Sequence, residues 1–250
     1  MARALVTGAG QRLGQAMAVA LARRGYDVAV HYATSDEGAS DTVAAIEACG
    51  QSAVAVQADL LDEVQTKALF AESVAALGGP ITCLINNASI FEDDRVQSST
   101  REGWDRHMES NLRAPYVLTQ LMAAQGLAAA EDAQGEPVAA GLVVNMLDQR
   151  IRNLTPEFST YTLAKMGLWA LTQTAAQGLA PHIRVNGIAP GPTLQGAHQE
   201  AADFAAERAG TVLGRGVGAD DIAAALGYLL DAKAVTGQAI CVDGGQHLTW

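Results

Sequence analysis

Positive charge is scarce in this chain. Sixteen Lys and Arg stand against 27 Asp and Glu in 250 residues, a formal net charge of −11. A surface this acidic repels nucleic-acid phosphates, so DNA or RNA binding is not expected. Any site for an anionic ligand must then make its own local positive field. Cysteine is also sparse. Cys49, Cys83 and Cys241 are odd in number, widely spaced and free of any CxxC pair, which argues against a disulfide framework and against a zinc site. His31, His107, His182, His198 and His247 include no HExxH pattern, so no metal is expected. No run approaches the roughly 20 apolar residues that a membrane helix needs. The start, Met1-Ala2-Arg3-Ala4-Leu5-Val6-Thr7-Gly8, lacks a basic segment followed by a signal-peptide core. A soluble, cytoplasmic protein with no membrane partner is the expectation.

What the chain does have is apolar residues, 49% against 17% charged. That is too many for a disordered chain and enough for one large core, so residues 1–250 read as a single domain. Short Val-, Ile- and Ala-rich runs predict strands at Ala4–Val6, Val28–Val30, Ala53–Val56, Cys83–Ile85, Leu142–Met146, Ile183–Ile188 and Ala239–Val242. Amphipathic stretches lie between them. Leu13, Met17 and Leu21 recur at fourfold spacing with Gly25 placed to end that helix, and Asp62 is placed to cap a helix that Gly78 can close. This β-α-β-α order implies an α/β protein with a doubly wound parallel sheet of about seven strands and helices on both faces. The segment 131–141 reads as a surface loop, and 193–216 as a lid over a substrate or a plain surface excursion.

The first strand runs directly into Thr7-Gly8-Ala9-Gly10-Gln11-Arg12-Leu13-Gly14 and then a helix. Glycines let the backbone approach a pyrophosphate, and a helix N-terminus supplies unpaired N–H groups and partial positive charge. Asn86-Asn87-Ala88-Ser89 follows the fourth strand. Tyr161 and Lys165 lie one helical turn apart on the same face, where an ammonium is expected to lower the phenol pKa and suit it to proton donation.

With these motifs in this order, the chain resembles the short-chain dehydrogenase/reductase family. The resemblance runs from the Gly-rich turn through Asn87-Ala88 and Tyr161–Lys165 to Pro190-Gly191 and Asp243-Gly244-Gly245. It implies a Rossmann fold, NAD(P)-dependent hydride transfer and usually a homotetramer. It also matches Asn111 to the family's helix Asn, which supports a water relay to the Lys. Two positions depart from the common pattern. Asp148 stands 13 residues before Tyr161, where the family usually has Ser, and Arg12 replaces the middle Gly of the turn. Both departures resemble the pteridine reductase branch. So do His31-Tyr32, Gln57-Ala58-Asp59-Leu60, Phe91 two residues after Ser89, Asn145-Met146-Leu147-Asp148 and the ending Asp243-Gly244-Gly245-Gln246-His247-Leu248.

The chemistry of that branch suits the residues. Phe91 can stack on a flat pterin ring or serve as a core or lid aromatic. Asp148 can pass a proton through Tyr161 to a ring nitrogen. Alternatively it is structural and Ser159 serves, although Ser159 is only two residues from Tyr161. Arg12, Ser89, Phe91, Asp148 and Tyr161 are the expected substrate contacts. The second strand ends in His31-Tyr32-Ala33-Thr34-Ser35 with no acid until Asp36, and Arg12, Thr34 and Ser35 suit a 2′-phosphate, so NADPH is favoured over NADH. Thr34 stands where the branch often has a further Arg. Asp59 is expected at the adenine or as a strand-end cap. Gly8, Gly10, Leu13, Gly14, Leu60, Asn87, Ala88, Ser89, Tyr161, Lys165, Pro190 and Gly191 complete the expected cofactor contacts. A pterin or dihydrofolate reductase is the leading expectation. A ketone reductase of the same fold and a non-catalytic NADP-binding sensor are the rivals.

Overall fold

The computed structural model describes residues 2–193 and 200–249. Seven strands form one parallel sheet: β1 (Ala2–Val6), β2 (Tyr26–Tyr32), β3 (Ala53–Gln57), β4 (Cys83–Asn86), β5 (Gly141–Met146), β6 (Ile183–Pro190) and β7 (Ala239–Val242). Each predicted strand is present, and most are a residue or two longer. The helices are α1 (Arg12–Ala22), α2 (Asp36–Glu47), α3 (Glu63–Ala76), α4 (Arg101–Met108), α5 (Ala114–Ala124), α6 (Ser159–Leu179), α7 (Ala201–Ala209) and α8 (Ala219–Asp231). The strand order is β3-β2-β1-β4-β5-β6-β7.

Alternation along each strand covers both faces. Ala4 and Val6 pack with Met17 and Leu21 of α1 and Leu226 of α8, all fully buried. Leu5, between them, packs on the other face with Leu69 of α3 and with Leu118 and Met122 of α5. Because both sides are dry, the strands read as continuous apolar runs rather than as alternating ones. The predicted helix signals hold. The Asp62 carboxylate accepts from Val64 N at 2.8 Å and Gln65 N at 3.4 Å. Gly25 and Gly78 follow α1 and α3 with φ of +87° and +69°.

Part of the expected loop 131–141 is a small antiparallel ribbon, Ala130–Glu131 against Pro137–Val138. Asp132 closes its turn by accepting from Gln134 N and Glu136 N, both at 2.9 Å. Of the expected lid 193–216, residues 194–199 lie outside the described residues. The rest carries α7, whose Arg208 donates to Pro192 O and Val217 O, both at 2.9 Å. No helix among the described residues is long and apolar enough to cross a membrane.

The sheet order reverses between β1 and β4, and a doubly wound sheet opens a crevice at such a point, beyond its carboxyl strand ends. Two glycines let the chain close there. A Cβ on Gly14 would lie 2.1 Å from Gly8 O and 2.6 Å from Asn87 Nδ2, and one on Gly38 of α2 would lie 2.1 Å from Gly10 O. Gly14→Ala and Gly38→Ala are each expected to cost about 1–3 kcal/mol by overpacking. Gly178→Ala meets nothing within 4 Å and should stabilise α6 slightly. Thermal midpoints of the three variants check this, with two falling and the third level or rising.

Candidate active site

The reversal point is knotted by one hydroxyl. Thr7 Oγ1 accepts from Asn87 N and Ala88 N, both at 2.9 Å, so the ends of β1 and β4 are tied together. Asn87 Nδ2 returns bonds to Thr7 O at 2.8 Å and Gly8 O at 3.1 Å. The turn leaves β1 with Gly8 at φ +62° and enters α1 with Arg12 at φ +57°. A non-glycine residue there costs of order 1–2 kcal/mol, so Arg12 holds a strained position. Gln11 gives α1 no side-chain cap, and the first turn carries no acid. Gln11 thus leaves the start of α1 open to a phosphate.

His31 was expected at the cofactor. The structure instead puts its imidazole beneath the turn. Gly8 N donates to Nδ1 at 2.9 Å, Nε2 faces Ala58 O at 3.1 Å, and the residue is 2% exposed. These bonds fix the tautomer, with the proton on Nε2. Burial pushes its pKa down to about 4. His31 shapes the cradle from inside.

Beyond β2, Tyr32 Oη donates to Asp36 at 2.8 Å, so the first acid after the strand is already engaged. Thr34 is exposed, and Ser35 borders the turn, its carbonyl 3.0 Å from where a Cβ on Gly10 would be. Asp59 is exposed and one oxygen accepts Leu61 N at 2.9 Å, a strand-end cap, while Leu60 and Leu13 are largely inside the fold. At the far side, a Cβ on Gly191 would meet Asp243 Cα at 2.7 Å, so the Pro190-Gly191 end of β6 packs tightly on the closing motif. Asp243 itself accepts from His247 Nδ1 at 2.6 Å.

Three expected catalytic side chains converge. Tyr161 Oη donates to Asp148 Oδ2 at 2.9 Å, so the phenol's partner here is the carboxylate rather than Ser159. Lys165, 2% exposed, donates to Met146 O at 2.7 Å, and its Nζ lies 5.5 Å from the centre of the Tyr161 ring. The electrostatics correct one expectation. Lys165 does not lower the Tyr161 pKa in this arrangement. Burial, reinforced by the Asp148 charge, raises it well above the usual phenol value. Burial also brings Lys165 down to about 8, against the pull of Asp148. A phenol held this way stays protonated at neutral pH and can donate to a substrate.

Asn111 sits on a π-helical turn, Glu109–Arg113, between α4 and α5. Such turns often accompany functional sites. Its side chain clamps Ile90, accepting from the main-chain N and donating to the O, both at 2.8 Å. The side chain thus positions the segment carrying Ser89 and Phe91.

Phe91 is half exposed and meets Tyr161 edge-on with centroids 4.7 Å apart. Sequence reasoning missed the partners of this ring. Phe158 stacks on it at 4.2 Å and 9° between planes, and Arg150 lies over Phe158 at 4.8 Å. It also missed a buried chain behind the site. Glu92 N donates to His107 Nε2 at 3.2 Å, His107 Nδ1 meets Thr160 Oγ1 at 2.7 Å, and Thr160 donates to Asp94 at 2.6 Å. No local motif announces these partners, nor the positive φ of +55° that Phe158 adopts.

A profile for the family described as enoyl-(acyl carrier protein) reductase matches residues 8–247. The 3-oxoacyl-[acyl-carrier-protein] reductase of Staphylococcus aureus is 33% identical over 250 residues, 98% of each chain. The chain belongs to the short-chain dehydrogenase/reductase family. As a member it is an oxidoreductase. Among solved structures, FolM alternative dihydrofolate reductase 1 from Brucella suis in complex with NADP is similar over 100% of this chain and 96% of that one, at 39% identity and a TM-score of 0.90. The promiscuous reductase LugOII, which catalyses keto-reduction at C1 in lugdunomycin biosynthesis, is 31% identical with a TM-score of 0.87 over 99% and 98% of the two chains.

His31 gives this site a pH signature. An unfolded chain binds a proton at His31 below about 6.5, whereas the folded chain resists until about 4. Stability is therefore complete above pH 6.5 and lost as the pH falls toward 4, by about 3 kcal/mol in total. Urea unfolding of the protein and of His31→Gln from pH 7 to 4.5 should converge as the pH falls. Parallel curves would refute the assignment.

Proposed function

We propose that this chain is an NADPH-dependent reductase that reduces a ring C=N of a pterin or dihydrofolate. The observation that carries the reading is the 2.9 Å bond from Tyr161 Oη to a carboxylate, Asp148, where a ketone reductase of this family uses a hydroxyl. The likeness to an NADP-bound FolM dihydrofolate reductase supports it, as does the strained Arg12 at the cradle.

The cradle fits the cofactor. Gly8, Gly10 and Gly14 keep side chains out of the turn, Gln11 does not cap α1 with its side chain, and Asp36 is engaged with Tyr32, which counts against a ribose-binding acid. Arg12, Thr34 and Ser35 would hold the 2′-phosphate, Ser89 a backbone phosphate, and Lys165 the nicotinamide ribose. Leu13, Asp59, Leu60, Asn87, Ala88, Pro190 and Gly191 would border the cofactor. Bound NADPH supplies the hydride to the ring carbon.

Tyr161 donates the proton to the adjacent ring nitrogen. The Asp148 side chain, 16% exposed, takes a proton from solvent and returns it to the phenolate. Lys165 stabilises the transient phenolate, and Asn111 supports the relay by holding the Ile90 segment. Phe91 offers a face to the substrate ring.

The ketone-reductase alternative draws support from the Staphylococcus aureus and LugOII relatives. A sensor has no need of an intact Tyr161, Lys165 and Asn111. We further propose a cytoplasmic homotetramer. An apolar groove between the α4–α5 segment and α6, lined by Met108, Leu112, Tyr116, Gly167, Ala170 and Leu171, is suited to a second copy.

A substrate panel of dihydrobiopterin, dihydromonapterin, dihydrofolate and an acetoacetyl thioester tests the function through NADPH oxidation. Reduction of the thioester alone would overturn the pterin reading. Tyr161→Phe should lower turnover by roughly 10²–10⁴ with NADPH affinity retained. Asp148→Ser should lower pterin reduction sharply and leave or improve carbonyl reduction. Arg12→Ala should weaken NADPH by about 10- to 100-fold and NADH far less, because only NADPH carries the 2′-phosphate. Titration of both cofactors by fluorescence reads this directly.

A further inference from the structure

Arg150 stands where the aromatic platform and the proton path meet. Its main-chain N donates to Asp148 Oδ1 at 2.8 Å, and its guanidinium lies 3.6 Å from the same oxygen. The other carboxylate oxygen receives the Tyr161 hydroxyl at 2.9 Å. The guanidinium also lies over Phe158 at 4.8 Å and Phe91 at 5.6 Å from the ring centroids, and those rings stack on each other at 4.2 Å. One cation therefore touches the platform and the carboxylate together.

Its own hydrogen bonding does not account for this placement. Arg150 Nε is buried with no partner. The Arg95–Glu157 and Arg106–Glu92 pairs close to 2.7 and 2.8 Å, whereas Arg150 stays 3.6 Å from Asp148. A planar cation that stacks on two rings gives up the best ion-pair geometry to keep the stack. Phe158, the ring most directly under it, has φ +55°, a backbone region that side-chain-bearing residues rarely adopt.

We propose that Arg150 is a positioning residue for the reduction: its guanidinium pins Phe91 and Phe158 as one platform for the substrate ring and holds the Asp148 carboxylate toward the Tyr161 hydroxyl. The inference rests on the pterin reading, in which Asp148 refills the phenol. The other groups facing the Tyr161–Asp148 pair are Lys165 from α6, the Ser89 hydroxyl after β4, and His107 from α4, whose ring centre is 6.0 Å from that of Tyr161. Of these, Lys165 is held on Met146 O, and His107 has both nitrogens engaged with Thr160 and Glu92. Removing Arg150 thus takes away the cation that lies beside the carboxylate.

The test compares Arg150→Met, Arg150→Lys and the parent chain on 7,8-dihydrobiopterin at pH 7, with kcat and KM read separately. Arg150→Met keeps bulk and loses charge. Its kcat/KM should fall about 10- to 100-fold, through a lowered kcat and a raised KM together. NADPH affinity should stay within about threefold, the span of an indirect effect. Arg150→Lys restores the charge without the planar stack. It should recover kcat and leave KM raised. A merely structural Arg150 would instead lower the thermal midpoint and NADPH affinity, with kcat no better in Arg150→Lys than in Arg150→Met, and that result overturns the proposal. Parent-like kinetics in Arg150→Met overturns it while the pterin reading stands. A parent chain that fails to reduce dihydrobiopterin, dihydromonapterin and dihydrofolate overturns both.

Discussion

Much of this molecule depends on the bond network around the Thr7 hydroxyl. A parallel sheet whose order reverses leaves two strand ends splayed, and the crevice between them serves chemistry only if both ends are fixed. Thr7 fixes them by accepting the main-chain N–H of Asn87 and Ala88, and Asn87 completes the tie through the carbonyls of Thr7 and Gly8. The Gly-rich turn hangs from this joint with His31 beneath it, and the Ser89–Phe91 segment leaves it toward Tyr161. The Gly-rich turn and the Ser89–Phe91 segment therefore share one anchor, and a change at the joint reaches both.

Burial sets the chemistry at the other end of the crevice. Tyr161 and Lys165 are both almost inaccessible, and burial penalises whichever form is charged. The phenol is pushed up and the ammonium down, so the two groups move apart in proton affinity. An ammonium titrating near 8 next to a phenol that resists ionisation makes a proton donor that is full at neutral pH. The carboxylate of Asp148 adds to the first shift and opposes the second. A Ser hydroxyl in its place would do neither, which is the physical content of that substitution.

Elements whose residues repeat with a local period were legible in the sequence. The seven strands and the Asp62 cap needed only apolar runs and one side chain before a helix. Tyr161, Lys165 and Asp148 were legible because their spacing follows a known pattern. The platform was not. Phe91 and Phe158 are 67 residues apart and meet only through the fold, and Arg150 reaches them from a short turn after β5. The direction of the His31 ring was not legible for a related reason. A residue at the end of β2 faces either the crevice or the core, and its two hydrogen bonds show that the ring turns inward. Asn111 clamps Ile90 from a π-helical turn that no periodicity signals.

The acidic composition raises a last question of how such a protein holds a polyanionic cofactor. The answer lies in the disposition of its cations. Arg24, Arg95, Arg101, Arg106, Arg113 and Arg215 each sit against a surface carboxylate, within 3.3 Å or less. Such pairs add little stability but cancel locally. The remaining field of the −11 charge is screened over about 8 Å at physiological ionic strength. The start of α1, Arg12, Lys165 and Arg150 add positive charge locally along the crevice. A net negative surface and a locally positive crevice are thus compatible.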